Sequence, residues 1–109
     1  MIWVNGVSQA SIAPMDRGLA YGDGLFATMR TGVDGILFFE SHQARLTAGA
    51  ARLGFDWQMS SALAEQLNTL AAQYPHHCIK LMITRGVGGR GYAPPEQVNV
   101  TEIVSVHPI

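Results

Sequence analysis

Arginine side chains are the most prominent candidates for chemistry in this sequence. Arg85 and Arg90 bracket a glycine-rich stretch, and Arg45 lies in a segment with helical spacing whose neighbours are small or apolar. A guanidinium group is planar, permanently charged and suited to bidentate binding of a carboxylate or a phosphate. Each arginine could also be an ordinary solvated surface residue, and the sequence pattern alone leaves that alternative open.

Other patterns that would indicate a particular chemistry are incomplete. Residues 86–91 match the G-x-G-x-x-G pattern of a dinucleotide-binding turn, but Pro94 and Pro95 follow where that turn needs a helix. The four histidines lack partners at metal-ligand spacing, so we predict no metal site. Cys78 lies in an apolar run and no G-x-S-x-G elbow is present, which disfavours a nucleophilic triad.

Composition and charge narrow the class of protein. The chain has 109 residues, of which 48% are hydrophobic and 14% charged, and such a length accommodates one globular domain with its own core. The net charge of −1 is spread along the chain, so we expect neither nucleic acid nor a membrane surface as a partner. A single cysteine, together with the lack of a signal peptide or a membrane-spanning apolar run, favours the cytoplasm.

Strand patterns recur along the chain, over residues 2–4, 7–10, 25–31, 35–39, 78–84 and 98–106. The pair Asn5-Gly6 supplies the two positive φ angles of a type I′ turn and predicts a hairpin between the first two strands. The pair Asp34-Gly35 predicts a second hairpin in the same way. Residues 11–24 contain too many glycines and prolines for a regular element, so we expect a shaped loop there.

Two helices are predicted between the hairpins and the last strands. Ser41 is a candidate N-cap for a helix that runs to about Leu53. The second helix starts at Ser60 or Ser61 and is stopped by Pro75. Strands, then helices, then strands predict an α+β fold, with an antiparallel sheet of hairpin-connected strands and two helices.

Four regions of the sequence resemble the class IV aminotransferase family, whose members are fold-type-IV enzymes that use pyridoxal 5′-phosphate. The longest region is DRGLAYGDGLFATMR at residues 16–30. The others are the Asn5-Gly6 hairpin, HQARL at residues 42–46, and TRG with RGY at residues 84–86 and 90–92. Together they follow the family's order over nearly the whole chain. The resemblance implies the small N-terminal domain of a two-domain enzyme that acts as a homodimer on a small-molecule substrate.

The resemblance implies a cofactor site that this chain completes only in part. Arg45 matches the arginine that binds the phosphate of pyridoxal 5′-phosphate, and Thr28 matches a catalytic hydroxyl beside the cofactor. The lysine that carries the cofactor lies in the family's second domain, and Lys80, the only lysine here, does not match it. We therefore expect this chain alone to be inactive, either as a fragment of an enzyme or as a stand-alone dimerisation or binding module.

The resemblance also implies that four further residues bind the substrate. Arg90 and Tyr92 match positions that bind the substrate carboxylate from the neighbouring subunit. Tyr21 and Phe26 match aromatic residues that line the pocket, although a core role for Phe26 is an equal alternative. Phe26 is followed by Ala27, where the family's aminotransferases usually have a glutamate. This departure favours a carbon–oxygen lyase of the family over a D-amino-acid or branched-chain aminotransferase.

Overall fold

The computed structural model describes residues 1–8, 11–89 and 98–109. In chain order, its elements are β1 (Ile2–Val4), β2 (Val7–Ser8), α1 (Arg17–Tyr21), β3 (Gly24–Gly32), β4 (Gly35–Ile36), α2 (Phe39–Leu53), α3 (Ser61–Gln73), β5 (His77–Thr84) and β6 (Thr101–Pro108). The strands form one sheet in the order β2-β1-β6-β5-β3-β4, and every neighbouring pair is antiparallel. The predicted α+β fold with an antiparallel sheet is therefore confirmed.

Both predicted hairpins are present. Between β1 and β2, Asn5 and Gly6 have φ angles of 51° and 80°, as a type I′ turn requires. In the second hairpin Gly32 pairs with Gly35, so the loop consists of residues 33 and 34 and Gly35 belongs to the strand. β4 is only two residues long, whereas the sequence pattern predicted a strand over residues 35–39.

A short helix, α1, lies within the segment that was expected to be a loop. The Asp16 side chain caps its start by accepting a hydrogen bond from the Gly18 N–H at 2.9 Å. Gly22 ends it in the left-handed conformation, with a φ of 65°. A helix of this length needs little more than a cap at each end, so the breakers on either side of it do not prevent it.

The two predicted helices are present, and one of them starts earlier than expected. α2 begins at Phe39, after Phe38 in a left-handed conformation with a φ of 56° and no side-chain cap, so the prediction of Ser41 as N-cap is wrong. The hairpin leads directly into this helix, which leaves no capping turn before Ser41. α3 begins as predicted, because the Ser60 side chain accepts a hydrogen bond from the Leu63 N–H at 3.1 Å.

The hydrophobic core lies between α2, α3 and one face of the sheet. Its most deeply buried side chains are Met29, Leu67, Ile79, Leu81, Ile83 and Val104. Along β3 and β5 these residues alternate with more exposed ones, as expected when only one face of a sheet is covered. The residues between them, such as Phe26, Thr28 and Lys80, therefore belong to the opposite side of the sheet, which we call the open face.

Candidate functional site

Three of the predicted site residues line one cavity at the edge of the sheet. The cavity has a volume of about 390 Å³ and is lined by Leu25, Phe26, Ala27, Thr28, His42, Arg45 and Leu46. β3 provides one wall and the first half of α2 provides the other. Because β4 pairs only with the last residues of β3, no further strand covers the edge beside Thr28 in the described part of the chain. The fold thus brings Phe26, Thr28 and Arg45 together.

The Arg45 side chain is exposed and is oriented by its neighbour His42. The two residues are three positions apart on α2, and Arg45 Nη2 lies 3.1 Å from His42 Nδ1. Partial burial lowers the pKa of His42, and the positive charge of Arg45 lowers it further. The imidazole is therefore neutral at pH 7, and its Nδ1 can accept a hydrogen bond from the guanidinium. A guanidinium has five N–H donors, so Arg45 retains donors for an anionic ligand.

Phe26 and Thr28 lie exposed on the open face of β3. The Phe26 side chain is 60% exposed, so it is not a core residue of the described chain. Lys80 Nζ lies 4.7 Å from the centroid of the Phe26 ring, and Lys80 is the cross-strand neighbour of Thr28. The sequence pattern predicts no role for Lys80 in the site. Only the register between β3 and β5 could have shown that this strand places a positive charge beside Thr28.

Of the other predicted site residues, Tyr21 alone lies within the described part of the chain. Tyr21 ends α1, where the guanidinium carbon of Arg17 lies 4.7 Å from the centroid of its ring. Tyr21 does not line the cavity that contains Arg45. Arg90 and Tyr92 lie outside the described residues, so their roles stay predictions.

Arg85, a candidate for ligand binding because of its charge and its position beside the glycine-rich stretch, is buried in an ion-pair network. Its Nε donates to Asp23 Oδ2 at 2.7 Å, and Arg17 Nε donates to the same oxygen at 2.8 Å. Arg85 also donates to the Leu53 carbonyl and lies over the Phe55 ring. Burial raises the pKa of Asp23, but the hydrogen bonds and charges of the two arginines outweigh this effect and hold the pKa below its usual value. The hypothesis of a ligand-binding Arg85 is therefore wrong.

A second, apolar cavity adjoins the first. It has a volume of about 300 Å³ and shares Leu25 and Phe26 with the cavity that contains Arg45. Its other apolar lining residues include Ile12, Leu19, Met82 and Ile103. A polar, cationic compartment and an apolar compartment therefore meet at Phe26, an arrangement suited to a ligand with an anionic end and an apolar body.

Three further observations bear on function. The described residues contain no group of three or more His, Cys, Asp or Glu side chains arranged to hold a metal ion. Over the same residues, no helix is long and apolar enough to cross a membrane. Cys78 is a free, partly buried thiol in β5.

The sequence profile of amino-transferase class IV matches residues 24–109, which is most of the chain and includes the cavity described above. The protein belongs to the class IV aminotransferase family, as the sequence motifs predicted. Members of this family bind pyridoxal 5′-phosphate.

Individual relatives include both lyases and aminotransferases. An aminodeoxychorismate lyase from Vibrio harveyi is 34% identical over 103 residues, which are 86% of this chain and 35% of that protein. A crystal structure of 4-amino-4-deoxychorismate lyase from Pseudomonas aeruginosa has 40% identity and a TM-score of 0.87, over 99% of this chain and 40% of that one. A putative branched-chain-amino-acid aminotransferase from Methanocaldococcus jannaschii is 35% identical over 105 residues, which cover 85% of this chain and 35% of the relative. The chain thus spans less than half the length of each of these relatives.

Proposed function

We propose that this chain is the N-terminal part of an aminodeoxychorismate lyase, which converts 4-amino-4-deoxychorismate into 4-aminobenzoate and pyruvate for folate biosynthesis in the cytoplasm. The observation that carries the proposal is the cavity in which Thr28, Phe26 and Arg45 lie together. Two of the relatives described above, at 34% and 40% identity, are lyases of this name. The lysine that carries the cofactor belongs to a second domain, beyond this chain.

The residues of the cavity fit the phosphate end of pyridoxal 5′-phosphate. The exposed guanidinium of Arg45 offers a permanent charge and several donors to a phosphate dianion. No acidic side chain is among the described residues that line the cavity, so the dianion meets no like charge there. When bound, the cofactor supplies the electron sink for removal of a proton from the substrate.

We propose that Thr28 interacts with the leaving group of the substrate. A hydroxyl can both donate and accept a hydrogen bond, and this one lies exposed on the wall of the cavity. In the proposed reaction the lysine of the second domain removes the ring proton, the carbon–oxygen bond to the enolpyruvyl group breaks, and the ring becomes aromatic. Thr28 orients the departing oxygen and passes to it the proton that the lysine has removed, so that the threonine hydroxyl is restored. Phe26 provides the aromatic surface that packs against the substrate.

The proposal includes a homodimer with sites shared between subunits, in which Arg90 and Tyr92 bind the substrate carboxylate of the neighbouring subunit. A mixing experiment tests this arrangement in the full-length protein. Subunits with Arg90→Ala are combined with subunits that lack the catalytic lysine. If the site is shared, both lesions fall in one site and the other stays intact, so heterodimers recover up to about half of the wild-type activity. Heterodimers that form but stay inactive would exclude a shared site.

The main alternative is an aminotransferase of the same family that acts on branched-chain or D-amino acids. The branched-chain relative at 35% identity and the apolar cavity beside Phe26 favour this candidate. The two activities differ in their products. A lyase releases pyruvate from 4-amino-4-deoxychorismate without an amino acceptor, whereas an aminotransferase requires a 2-oxo acid. A gene that encodes no second domain would instead support a stand-alone dimerisation or binding module.

Substitution of Arg45 tests the cofactor site directly. In the full-length protein, Arg45→Ala should weaken pyridoxal 5′-phosphate binding by about 1.5–3 kcal/mol, because a charge-assisted partner of the phosphate is lost. The dissociation constant can be measured by titrating the apoenzyme with cofactor and following absorbance. Arg52→Ala is the matched control, since Arg52 is an exposed arginine of α2 that does not line the cavity. Equal cofactor affinity in the two variants would reassign Arg45 to the solvated surface.

A further inference from the structure

We propose that Gly49 is a positioning residue, which sets the distance between α2 and β3 and thereby places Arg45 at the cavity. A Cβ atom built on Gly49 would lie only 2.6 Å from Leu25 Cδ1 and 4.0 Å from Leu25 Cγ. Real Cβ atoms essentially never approach another heavy atom as closely as the first of these distances, so α2 or the Leu25 side chain would have to move. Leu25 Cδ1 is the end of a flexible side chain, but Leu25 packs against the hydrophobic core, which limits how far that side chain can turn away. The inference rests on the proposed role of Arg45 in binding the cofactor phosphate.

The contact between Gly49 and Leu25 lies at the junction that forms the cavity. Gly49 follows Arg45 by four residues, so both lie on the same flank of α2, one turn apart. Leu25 lies on β3 and lines the cavity together with Thr28 and Arg45. The separation of helix and strand at Gly49 therefore determines where the Arg45 guanidinium lies relative to Thr28.

Space, rather than backbone conformation, explains a glycine at this position. Gly49 lies inside α2 and is not among the residues with a positive φ, so an alanine could adopt its backbone conformation. Glycine also makes a helix interior less stable than alanine does, because it loses more conformational entropy on folding. The neighbouring positions 48, 50 and 51 are all alanine. Close packing against Leu25 is the property of Gly49 that alanine cannot supply.

A small displacement of Arg45 is expected to affect cofactor binding, because a phosphate held by several hydrogen bonds tolerates little error in the position of its donors. The helix has no glycine elsewhere within its bounds. An added methyl group at position 49 would push α2 away from Leu25 and β3, and Arg45 would move with the helix. This change alters the site without removing any group that binds the cofactor.

The test uses three variants of the full-length protein, Gly49→Ala, Leu25→Val and the combination of the two. Valine lacks the δ-carbons that the new methyl group would meet. The dissociation constant for pyridoxal 5′-phosphate and the melting temperature are measured for each apoenzyme. We expect Gly49→Ala to raise the dissociation constant by about fivefold or more. The dissociation constant of the combined variant should lie within about twofold of that of Leu25→Val alone, because the effects of two residues in direct contact depend on each other.

A purely structural role for Gly49 gives a different result. Affinity that is unchanged in Gly49→Ala, or weakened without recovery in the combined variant, overturns the inference. If Gly49→Ala fails to fold, the combined variant tests the inference instead. The inference requires the combined variant to fold and to bind the cofactor as tightly as Leu25→Val does, and it is overturned if the combined variant does not. Adding Gly49→Ala to Arg45→Ala should cause little further loss of affinity, since Gly49 acts through Arg45. A fully additive loss contradicts that mechanism.

The Arg45→Ala variant separates failure of this inference from failure of the proposed function. If Arg45→Ala binds the cofactor normally, the phosphate site proposed for Arg45 is wrong, and the role of Gly49 falls with it. If Arg45→Ala binds weakly and Gly49→Ala binds normally, only the role of Gly49 is overturned.

Discussion

Asp23 and Arg85 form a buried ion pair in which Arg85 Nε lies 2.7 Å from Asp23 Oδ2. Arg17 Nε lies 2.8 Å from the same oxygen, so one carboxylate is shared by two guanidinium groups. Backbone hydrogen bonds join the same segments, from the Arg85 N–H to the Asp23 carbonyl and from the Arg17 N–H to the Gly86 carbonyl. The network fixes α1 and the start of β3 to the end of β5, and it thereby holds the strand that carries Phe26.

Replacement of the shared carboxylate should strongly destabilise the fold. Asp23→Asn removes the negative charge that the two largely buried guanidinium groups share, and removal of one partner from a buried ion pair typically costs about 3–5 kcal/mol. Urea unfolding measures the change in free energy. Asp34→Asn is the matched control, because Asp34 is exposed in the loop of the second hairpin, and its effect should stay within about 0.5 kcal/mol. Equal stability of the two variants would show that the network is dispensable.

The contribution of Asp23 should disappear in acid. Burial raises its pKa, but the hydrogen bonds from Arg85 and Arg17 and their charges lower it more, so the folded-state pKa lies below the reference value of 3.8. The ionised carboxylate therefore adds stability that is fully present above the unfolded-state pKa and is lost as the pH falls through the folded-state pKa. The difference in unfolding free energy between the wild type and Asp23→Asn should shrink as the pH is lowered below 3.8. A difference that is independent of pH would contradict the assigned ion pair.

The titration of His42 should report on Arg45. Burial is the larger cause of its lowered pKa and the charge of Arg45 is the smaller one, so Arg45→Ala should raise the pKa while leaving it below the usual value. The pKa can be measured from the pH dependence of the imidazole NMR signals, with Arg52→Ala as a control that should leave it unchanged. Because the folded-state pKa is lowered, the unfolded chain binds more protons below pH 6.5 and His42 makes the protein less stable as the pH falls through that range. An unchanged pKa in Arg45→Ala would mean that the two side chains do not interact in solution.

Two glycines of β3 should differ in how well they tolerate alanine. A Cβ on Gly24 would lie 2.7 Å from the carbonyl oxygen of Ile83, a backbone atom held by the pairing of β3 with β5. Gly24→Ala should therefore cost about 1–3 kcal/mol of unfolding free energy, as overpacking usually does. A Cβ on Gly32 would meet Leu37 Cδ2 at 3.5 Å, an ordinary contact, and Gly32→Ala should change stability by less than about 1 kcal/mol. A tolerated Gly24→Ala would show that the two strands can separate locally at little cost.

Much of the fold and part of the site follow from signals that act over a few residues of the sequence. Asn5-Gly6 and Ser60 act on their own turn or helix end, so the first hairpin and the start of α3 are as predicted. Arg45 and His42 are three positions apart on a helix, and helical geometry alone places them on one flank. The family could be recognised from the sequence for a similar reason, because its motifs are short and contiguous.

The tertiary structure decided the features that depend on residues far apart in the chain. Asp23 and Arg85 are 62 positions apart, and nothing near Arg85 in the sequence indicates that its charge is neutralised within the protein. Lys80 comes to lie beside Thr28 only through the register of β3 and β5, and a shift of that register by one residue would turn Lys80 to the other face of the sheet. Strand register and the burial of a charge arise from packing over the whole domain, and local sequence patterns do not contain them.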